Sequence, residues 1–197
     1  GQHALSLNGL SDGATLEAET GINLNASKYT IEYWAKSNTT ANNFIRLGDD
    51  VSNNININIT ANGNVWHHYA HVFAGSQDSL FVDGVFASST AAAALNTTIG
   101  KLRIGNPASG MVQIDELRIW DIARNEIDLQ RDMPRYLRGD EAGLKGYWSF
   151  NEGTGITAAT YVQGSNGHAK LTNTYWTYDR PDVNYCADTD PSGYYEI

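Results

Sequence analysis

The sequence has few cysteines, few basic residues and no long apolar run, and each shortage excludes a class of protein. A single cysteine, Cys186, excludes an intrachain disulfide framework and any metal site built from several cysteines. Lysine and arginine number 13 against 22 acidic residues, a formal net charge of −9, so we expect no nucleic-acid or anionic-membrane partner. No apolar run approaches the roughly 18 residues of a membrane span, so we expect no membrane insertion.

The sequence does have enough apolar surface for a packed core. Hydrophobic residues make up 41% and aromatic residues 11% of the 197 positions, which excludes a disordered or fibrous chain. We expect one folded domain over residues 1–178 and, over 179–197, an extended tail or the start of a following module. The polar, lysine-poor composition favours a secreted or cell-surface location, within a larger multidomain protein.

Apolar and polar residues alternate with a period of two along much of the chain. The clearest run is Asn54–Thr60, where three isoleucines alternate with polar residues as in a half-buried antiparallel strand. Similar runs recur about every ten residues and are Ala4–Asn8, Tyr29–Lys36, Phe44–Gly48, His67–Phe73, Lys101–Gly105, Val112–Trp120, Gly146–Phe150 and Lys170–Thr174. This pattern predicts an all-β fold, a two-sheet antiparallel β-sandwich.

Two local signals predict a hairpin and a helix. Asp83-Gly84 lies between apolar-rich arms, and a type I′ hairpin turn needs residues that accept positive φ at both central positions. One short helix is expected over Arg124–Met133, with Asn125 as its cap and Ile127 and Leu129 as its apolar stripe.

Five segments, in order along the chain, resemble the laminin G-like and pentraxin-like branch of the concanavalin A-like jelly-roll family. They are Ala4–Asp12, Tyr29–Lys36, Trp66–Ala70 with Leu80–Gly84, Ile114–Trp120 with Glu126-Ile127, and Tyr147–Gly155. The resemblance implies two antiparallel sheets packed face to face in a jelly roll. It also implies a mostly non-catalytic module that binds glycans, extracellular matrix or other proteins, often with a bound calcium ion.

The strand Tyr29–Lys36 carries the candidate ligand-binding residues. Trp34 is the one apolar residue on a face that it shares with Glu32 and Lys36. An exposed indole beside charged side chains is a platform on which a sugar ring stacks while its hydroxyls are hydrogen-bonded. The alternative is that Trp34 packs in the core.

Two sets of oxygen-bearing residues are candidate calcium ligands. Asp49 and Asp50 end one predicted strand and Asn106 follows another, and with loop carbonyls they offer the hard oxygen ligands that calcium requires. The resemblance places a rim calcium here, although Asn106-Pro107-Ala108-Ser109 lacks the acidic cluster of pentraxins. Solvated turn residues are the alternative.

A second metal candidate lies near the N-terminus and on a later strand. Asn8 and Asp12 in the opening turn could share a structural cation. Asp115 has the strand parity of Leu117 and Ile119, which predicts that its carboxylate points to the apolar side. A carboxylate there must accept backbone hydrogen bonds or ligate a cation, and the hydrogen-bonded structural role is the alternative to metal binding.

Other chemistry is weakly represented. His67 and His71 share a strand face with Tyr69 but lie about 13 Å apart, too far for one zinc ion. The Glu-x-Asp-x-x-Glu triplet of the related glucanases is absent from the sequence. We therefore expect no enzyme but a lectin-like adhesion module that binds a glycan or matrix-like surface. A structural spacer of a large adhesin and a divergent polysaccharide hydrolase or lyase are the alternatives.

Overall fold

Two antiparallel β-sheets packed face to face form the fold seen in the computed structural model. The structure describes residues 3–24, 27–48, 53–93, 98–165 and 167–183. Its elements are β1 (Ala4–Asn8), α1 (Gly9–Asp12), β2 (Thr15–Asn23), β3 (Lys28–Ser37), β4 (Ala41–Gly48), β5 (Asn53–Ile59), β6 (His67–Ala74), β7 (Gln77–Val82), β8 (Val85–Ala91), β9 (Thr98–Ile104), β10 (Met111–Trp120), α2 (Glu126–Asp132), β11 (Leu144–Trp148), β12 (Thr157–Ala158), β13 (Ala169–Thr172) and β14 (Tyr175–Thr177). The predicted all-β sandwich is thereby confirmed.

The first sheet, sheet A, has eight strands in the order β14-β1-β10-β3-β6-β7-β8, with β11 also paired to β10. Sheet B has six strands in the order β12-β13-β2-β9-β4-β5. Every strand pair among the described residues is antiparallel. Each sheet therefore has an inner face toward the other sheet and an outer face.

Alternating residues of both sheets fill the space between the inner faces. In β5 the three isoleucines Ile55, Ile57 and Ile59 are buried and belong to the main core, whereas Asn56 and Asn58 between them are exposed. Burying one such side chain stabilises the fold by about 1.5–3 kcal/mol. The period-two pattern of this strand is thus the direct cause of its orientation.

The predicted hairpin and helix are both present. Asp83 and Gly84 have φ values of 51° and 75° between β7 and β8, as the type I′ turn requires. The side chain of Asn125 caps α2 by accepting a hydrogen bond from the Asp128 N–H at 2.9 Å. Leu129 is buried, but the prediction that Ile127 also faces the core is wrong, because its side chain is 76% exposed.

The C-terminal segment does not leave the sandwich at once. Residues 178–183 stay in contact with the sandwich, and Val183 is buried. The remainder of the expected tail lies outside the described residues, so the boundary at 178 stays a prediction. Within the described part of the chain, no helix has the length and apolar character needed to cross a membrane.

Candidate functional site

The outer face of sheet A, where the sugar platform was expected, is covered by α2 and the loops beside it. The indole N–H of Trp34 donates to the Met133 carbonyl oxygen at 3.0 Å. Arg118 on the neighbouring strand donates to the carbonyls of Asp132 and Arg135, at 2.9 and 2.5 Å. Trp34 is consequently half-buried under the segment around Met133 and does not form an open platform.

Glu32 lies at the centre of a buried ion network on this same face. Its Oε1 accepts hydrogen bonds from Arg124 at 2.8 Å, from the indole of Trp120 at 3.1 Å and from Arg118 at 3.4 Å. The Glu32 side chain has no exposed surface, so the expected open position for it is wrong. The physical reason is that two guanidinium groups, that of Arg118 on β10 and that of Arg124 before α2, offset the negative charge of Glu32 in the interior.

Asp115 lies on the outer side of sheet A, and the prediction that it faces the apolar core is wrong. The register of β10 with β3 shifts between Asp115 and Arg118, and Glu116 adopts a φ of 52°. This bulge reverses the parity, so that Asp115 pairs with Trp34 while Leu117 returns to the core. Both carboxylates of the bulge are buried.

The bulge carboxylates are held by hydrogen bonds within the chain. The Glu116 N–H donates to Asp115 Oδ1 at 3.0 Å. Glu116 Oε2 accepts from Arg118 at 2.8 Å and from the Tyr147 hydroxyl at 2.7 Å. Burial, followed by the neighbouring Glu116 charge, raises the pKa of Asp115 well above its ordinary value. These groups are therefore suited to hold β10 against β3 and β11.

The candidate calcium ligand Asn106 uses both of its side-chain polar atoms elsewhere. Its Nδ2 donates to the Asn42 carbonyl oxygen at 2.8 Å, and its Oδ1 accepts from the Ala108 N–H at 2.9 Å. This is an Asx-type turn, in which the amide fixes the loop. Its proposed partners Asp49 and Asp50 lie outside the described residues.

The other metal candidates do not converge. Asn8 pairs with Met111, which is four residues from Asp115 along β10, a separation of about 13 Å at roughly 3.3 Å per residue. Asp12 is the last residue of α1, and the structure does not describe its side chain. Across the described ranges there is no group of three or more histidine, cysteine, aspartate or glutamate side chains that could hold a metal ion.

Lys36, the third candidate ligand-binding residue, contacts the 178–183 segment. Its Nζ lies 2.5 Å from Asp179 Oδ2, and the indole N–H of Trp66 donates to Asp179 Oδ1 at 3.0 Å. Burial raises the pKa of Asp179, but hydrogen bonds from Lys36, Trp66 and Gln113 outweigh it and hold the pKa below its ordinary value. The carboxylate is therefore ionised and multiply bound.

A polar cleft of about 470 Å³ opens at the rim of the sandwich. It lies where β2 shifts register between Glu19 and Ile22 and where Gly21 takes a φ of 57°. The cleft is lined by Thr20, Gly21, Ile22, Asn23, Lys145, Gln163, Gly164 and Ser165. Among the described residues, its polar groups are thus amides, hydroxyls and the Lys145 ammonium, without a carboxylate in the lining.

Sequence reasoning missed this rim cleft. The strand β2 has interrupted alternation across Thr20-Gly21, and we predicted no strand there. Gly164 and Ser165 belong to a loop without a motif. The Asn and Gly content of these segments is the one signal that could have indicated a turn at the rim.

A second cleft, of about 330 Å³, lies between Trp120 and α2. Its acidic side chains are already engaged. Asp128 and Asp132 accept from Arg131 at 2.8 and 2.7 Å, and Glu141 accepts from the backbone N–H groups of Arg138 and Gly139 at 2.6 and 2.9 Å. The carboxylates at this position thus order the loops around α2.

Comparison with known proteins places the fold. The laminin G family model described as concanavalin A-like lectin/glucanases superfamily matches residues 44–130, somewhat under half of the chain. No curated protein sequence matches the chain. A "putative carbohydrate binding protein" from Bacteroides ovatus superimposes with a TM-score of 0.64 at 14% identity, covering 93% of this chain and 61% of that one.

More distant structures share about half of the chain. The binding domain of botulinum neurotoxin DC has a TM-score of 0.41 at 11% identity, over 53% of this chain and 35% of that one. A sialidase of Trypanosoma rangeli has a TM-score of 0.42 at 12% identity, over 53% and 22%. This chain therefore spans less than two thirds of the length of each. The resemblance stands confirmed: the chain has the concanavalin A-like two-sheet fold, with a laminin G-type match over residues 44–130.

Proposed function

We propose that the chain is a non-catalytic carbohydrate-binding module, and that the rim cleft holds the sugar. The observation that carries the proposal is the chemistry of this cleft on a concanavalin A-like sandwich. Amides and hydroxyls donate and accept hydrogen bonds as sugar hydroxyls do, and Lys145 adds a cation. The volume of about 470 Å³ lies within the roughly 300–1,000 Å³ of small-molecule sites.

Lys145 already contacts a carboxylate but can still form a hydrogen bond to a ligand. Lys145 Nζ is 3.1 Å from Asp121 Oδ2, and its side chain is 41% exposed, so it keeps hydrogen-bonding capacity toward solvent. Asn23 and Gln163 are the amide-bearing residues of the described lining. The fold shared with the Bacteroides ovatus protein further supports carbohydrate as the ligand class.

Binding rather than catalysis is supported by what the acidic side chains do. Most glycoside hydrolases use two carboxyl groups that flank the scissile bond. Glu32, Asp115 and Glu116 are buried and hydrogen-bonded within the chain, and the described part of the rim cleft is lined without a carboxylate. We place the module in a larger secreted or cell-surface protein with an adhesion role.

The experiment is binding of the full chain to an array of neutral glycans, followed by calorimetric titration with the best oligosaccharide. Gln163→Ala and Lys145→Ala remove donors from the cleft, and we expect each to weaken binding at least tenfold. Lys170→Ala is the matched control, because Lys170 is an exposed lysine on β13 outside the cleft. Equal affinity of all three variants and the unmodified chain would contradict the proposed site, and no binding to any glycan would favour the structural spacer.

Calcium stays a separate proposal, limited to the loop of Asp49 and Asp50. An ion that binds only the folded state raises the free energy of unfolding by about 2.7 kcal/mol at 100 times its Kd. We therefore expect the melting temperature to rise on adding calcium chloride and to fall with chelator. Asp50→Asn removes that shift if the loop holds the ion, and a melting temperature indifferent to calcium would exclude the proposal.

A further inference from the structure

The carboxylate of Asp179 accepts hydrogen bonds from side chains of the sandwich. Lys36 lies on β3, Gln113 lies on β10, and Trp66 lies just before β6. Lys36 and Trp66 donate to the two carboxylate oxygens of Asp179, from positions 143 and 113 residues away in sequence, and Gln113 is the neighbour of Lys36 across the sheet. Two donors from separate elements thus converge on one carboxylate, which is how a protein recognises an anionic ligand.

Lys36 and Gln113 belong to one row on the outer face of sheet A. Lys36 pairs with Gln113, Gln113 with Ser6, and Ser6 with Tyr175, across β3, β10, β1 and β14. Three strand spacings of roughly 4.8 Å give a row about 14 Å long. Tyr175 at the far end of the row is 58% exposed, so an aromatic ring accessible to a ligand lies within reach of a short oligosaccharide.

Asp179 lies at the surface of the molecule. The Asp179 side chain is 45% exposed while that of Lys36 is 15% exposed, so the donor side is set into the sheet and the acceptor side faces solvent. Solvent screens the charge of a partly exposed carboxylate and weakens its ion pair. An external carboxylate that also contacts the Tyr175 ring gains a contact that Asp179 does not make in this row.

We propose that Lys36, Trp66 and Gln113 form a subsite for a carboxylate-bearing sugar, a uronate, and that Asp179 is its internal competitor. The choice of a sugar rests on the proposed carbohydrate-binding function, while the carboxylate chemistry rests on the contacts of Asp179. In this arrangement the apparent affinity for uronate is reduced by the fraction of molecules in which Asp179 fills the subsite.

The test is calorimetric titration of the full chain with a uronate trisaccharide and with the corresponding neutral trisaccharide. Asp179→Asn removes the negative charge that competes for Lys36, and we expect uronate affinity to rise at least tenfold with no change for the neutral sugar. Asp182→Asn is the matched control, because it makes the same charge change on an exposed residue of the same segment. Lys36→Gln, introduced into the Asp179→Asn variant, should return uronate affinity to the level of the unmodified chain or below.

The outcomes separate this subsite from the rim cleft. A lower melting temperature for Asp179→Asn without a gain in uronate affinity would show that Asp179 only fastens the 178–183 segment, and would overturn the proposal. Equal gains for Asp179→Asn and Asp182→Asn would also overturn it, since net charge alone would then be responsible. Loss of neutral-sugar binding in Gln163→Ala, with the uronate gain of Asp179→Asn retained, would confirm that the two sites are distinct.

Discussion

Removing the charge of Glu32 should destabilise the fold far more than removing that of an exposed glutamate. Glu32→Gln keeps the side-chain shape but leaves Arg118 and Arg124 without their shared carboxylate. The side chains of these arginines are 0% and 2% exposed. Removing one partner of a buried ion pair costs about 3–5 kcal/mol. Because Arg118 still contacts Glu116 and Arg124 still contacts Asp132, we expect a cost near the lower end of this range.

The matched control is Glu19→Gln. Glu19 is 77% exposed at its side chain and lies 3.1 Å from Lys101, so the same substitution there should cost about 0–1 kcal/mol. Urea denaturation followed by tryptophan fluorescence measures both changes in the free energy of unfolding. Since domains of this kind are stable by about 5–15 kcal/mol, we expect Glu32→Gln to remain folded at low temperature with a much lower denaturation midpoint.

The dependence on salt concentration further distinguishes the Glu32 substitution from the Glu19 substitution. At 1 M ionic strength the Debye length is about 3 Å, so the small Glu19 contribution should vanish while the Glu32 contribution persists. Equal costs for the two variants, or a Glu32→Gln cost that disappears in salt, would refute the reasoning that the network is buried beneath α2.

Three further predictions concern pH, the hairpin and the helix cap. Burial lowers the pKa of His68 from 6.5 to about 4, so below pH 6.5 the unfolded chain takes up a proton that the folded chain excludes. The free energy of unfolding, relative to a His68→Gln variant, should therefore fall by about 3 kcal/mol between pH 6.5 and 4, and a flat difference in pH-dependent urea titrations would refute it. Gly84→Ala places a Cβ 2.6 Å from Gln130 Cγ at a φ of +75° and should cost more than about 1 kcal/mol. Gly75→Ala, with a φ of +68° and open space, should cost less in the same denaturation assay, and equal costs would show that the contact is unimportant. Asn125→Ala should cost about 1 kcal/mol and lower the melting temperature by about 2–4 °C, whereas Asn125→Asp, which retains a capping oxygen, should change it little.

Local sequence patterns were sufficient for the architecture because they depend on neighbouring residues alone. The alternation at Ile55, Ile57 and Ile59 predicts a strand with one buried face, and the structure confirms both the strand and the face. The pair Asp83-Gly84 predicts its hairpin because few other residues accept positive φ. These signals are contained within a few residues and need no knowledge of the rest of the fold.

The candidate site was harder to predict because it depends on which segments cover a sheet. Strand parity places Glu32, Trp34 and Lys36 on the outer face correctly, but parity does not reveal that α2 covers the first two. For Asp115 parity itself fails, because one extra residue at the Glu116 bulge reverses every side chain that precedes it on β10.

Sugar binding at the rim of the sandwich, and not on the covered part of sheet A, can be located residue by residue. Two-dimensional ¹H–¹⁵N NMR of the chain during titration with a neutral oligosaccharide that it binds tests this directly. We predict amide shift changes concentrated at residues 20–23, 145 and 163–165. Shift changes centred on residues 30–34 and 116–120, with the rim amides unmoved, would contradict the claim.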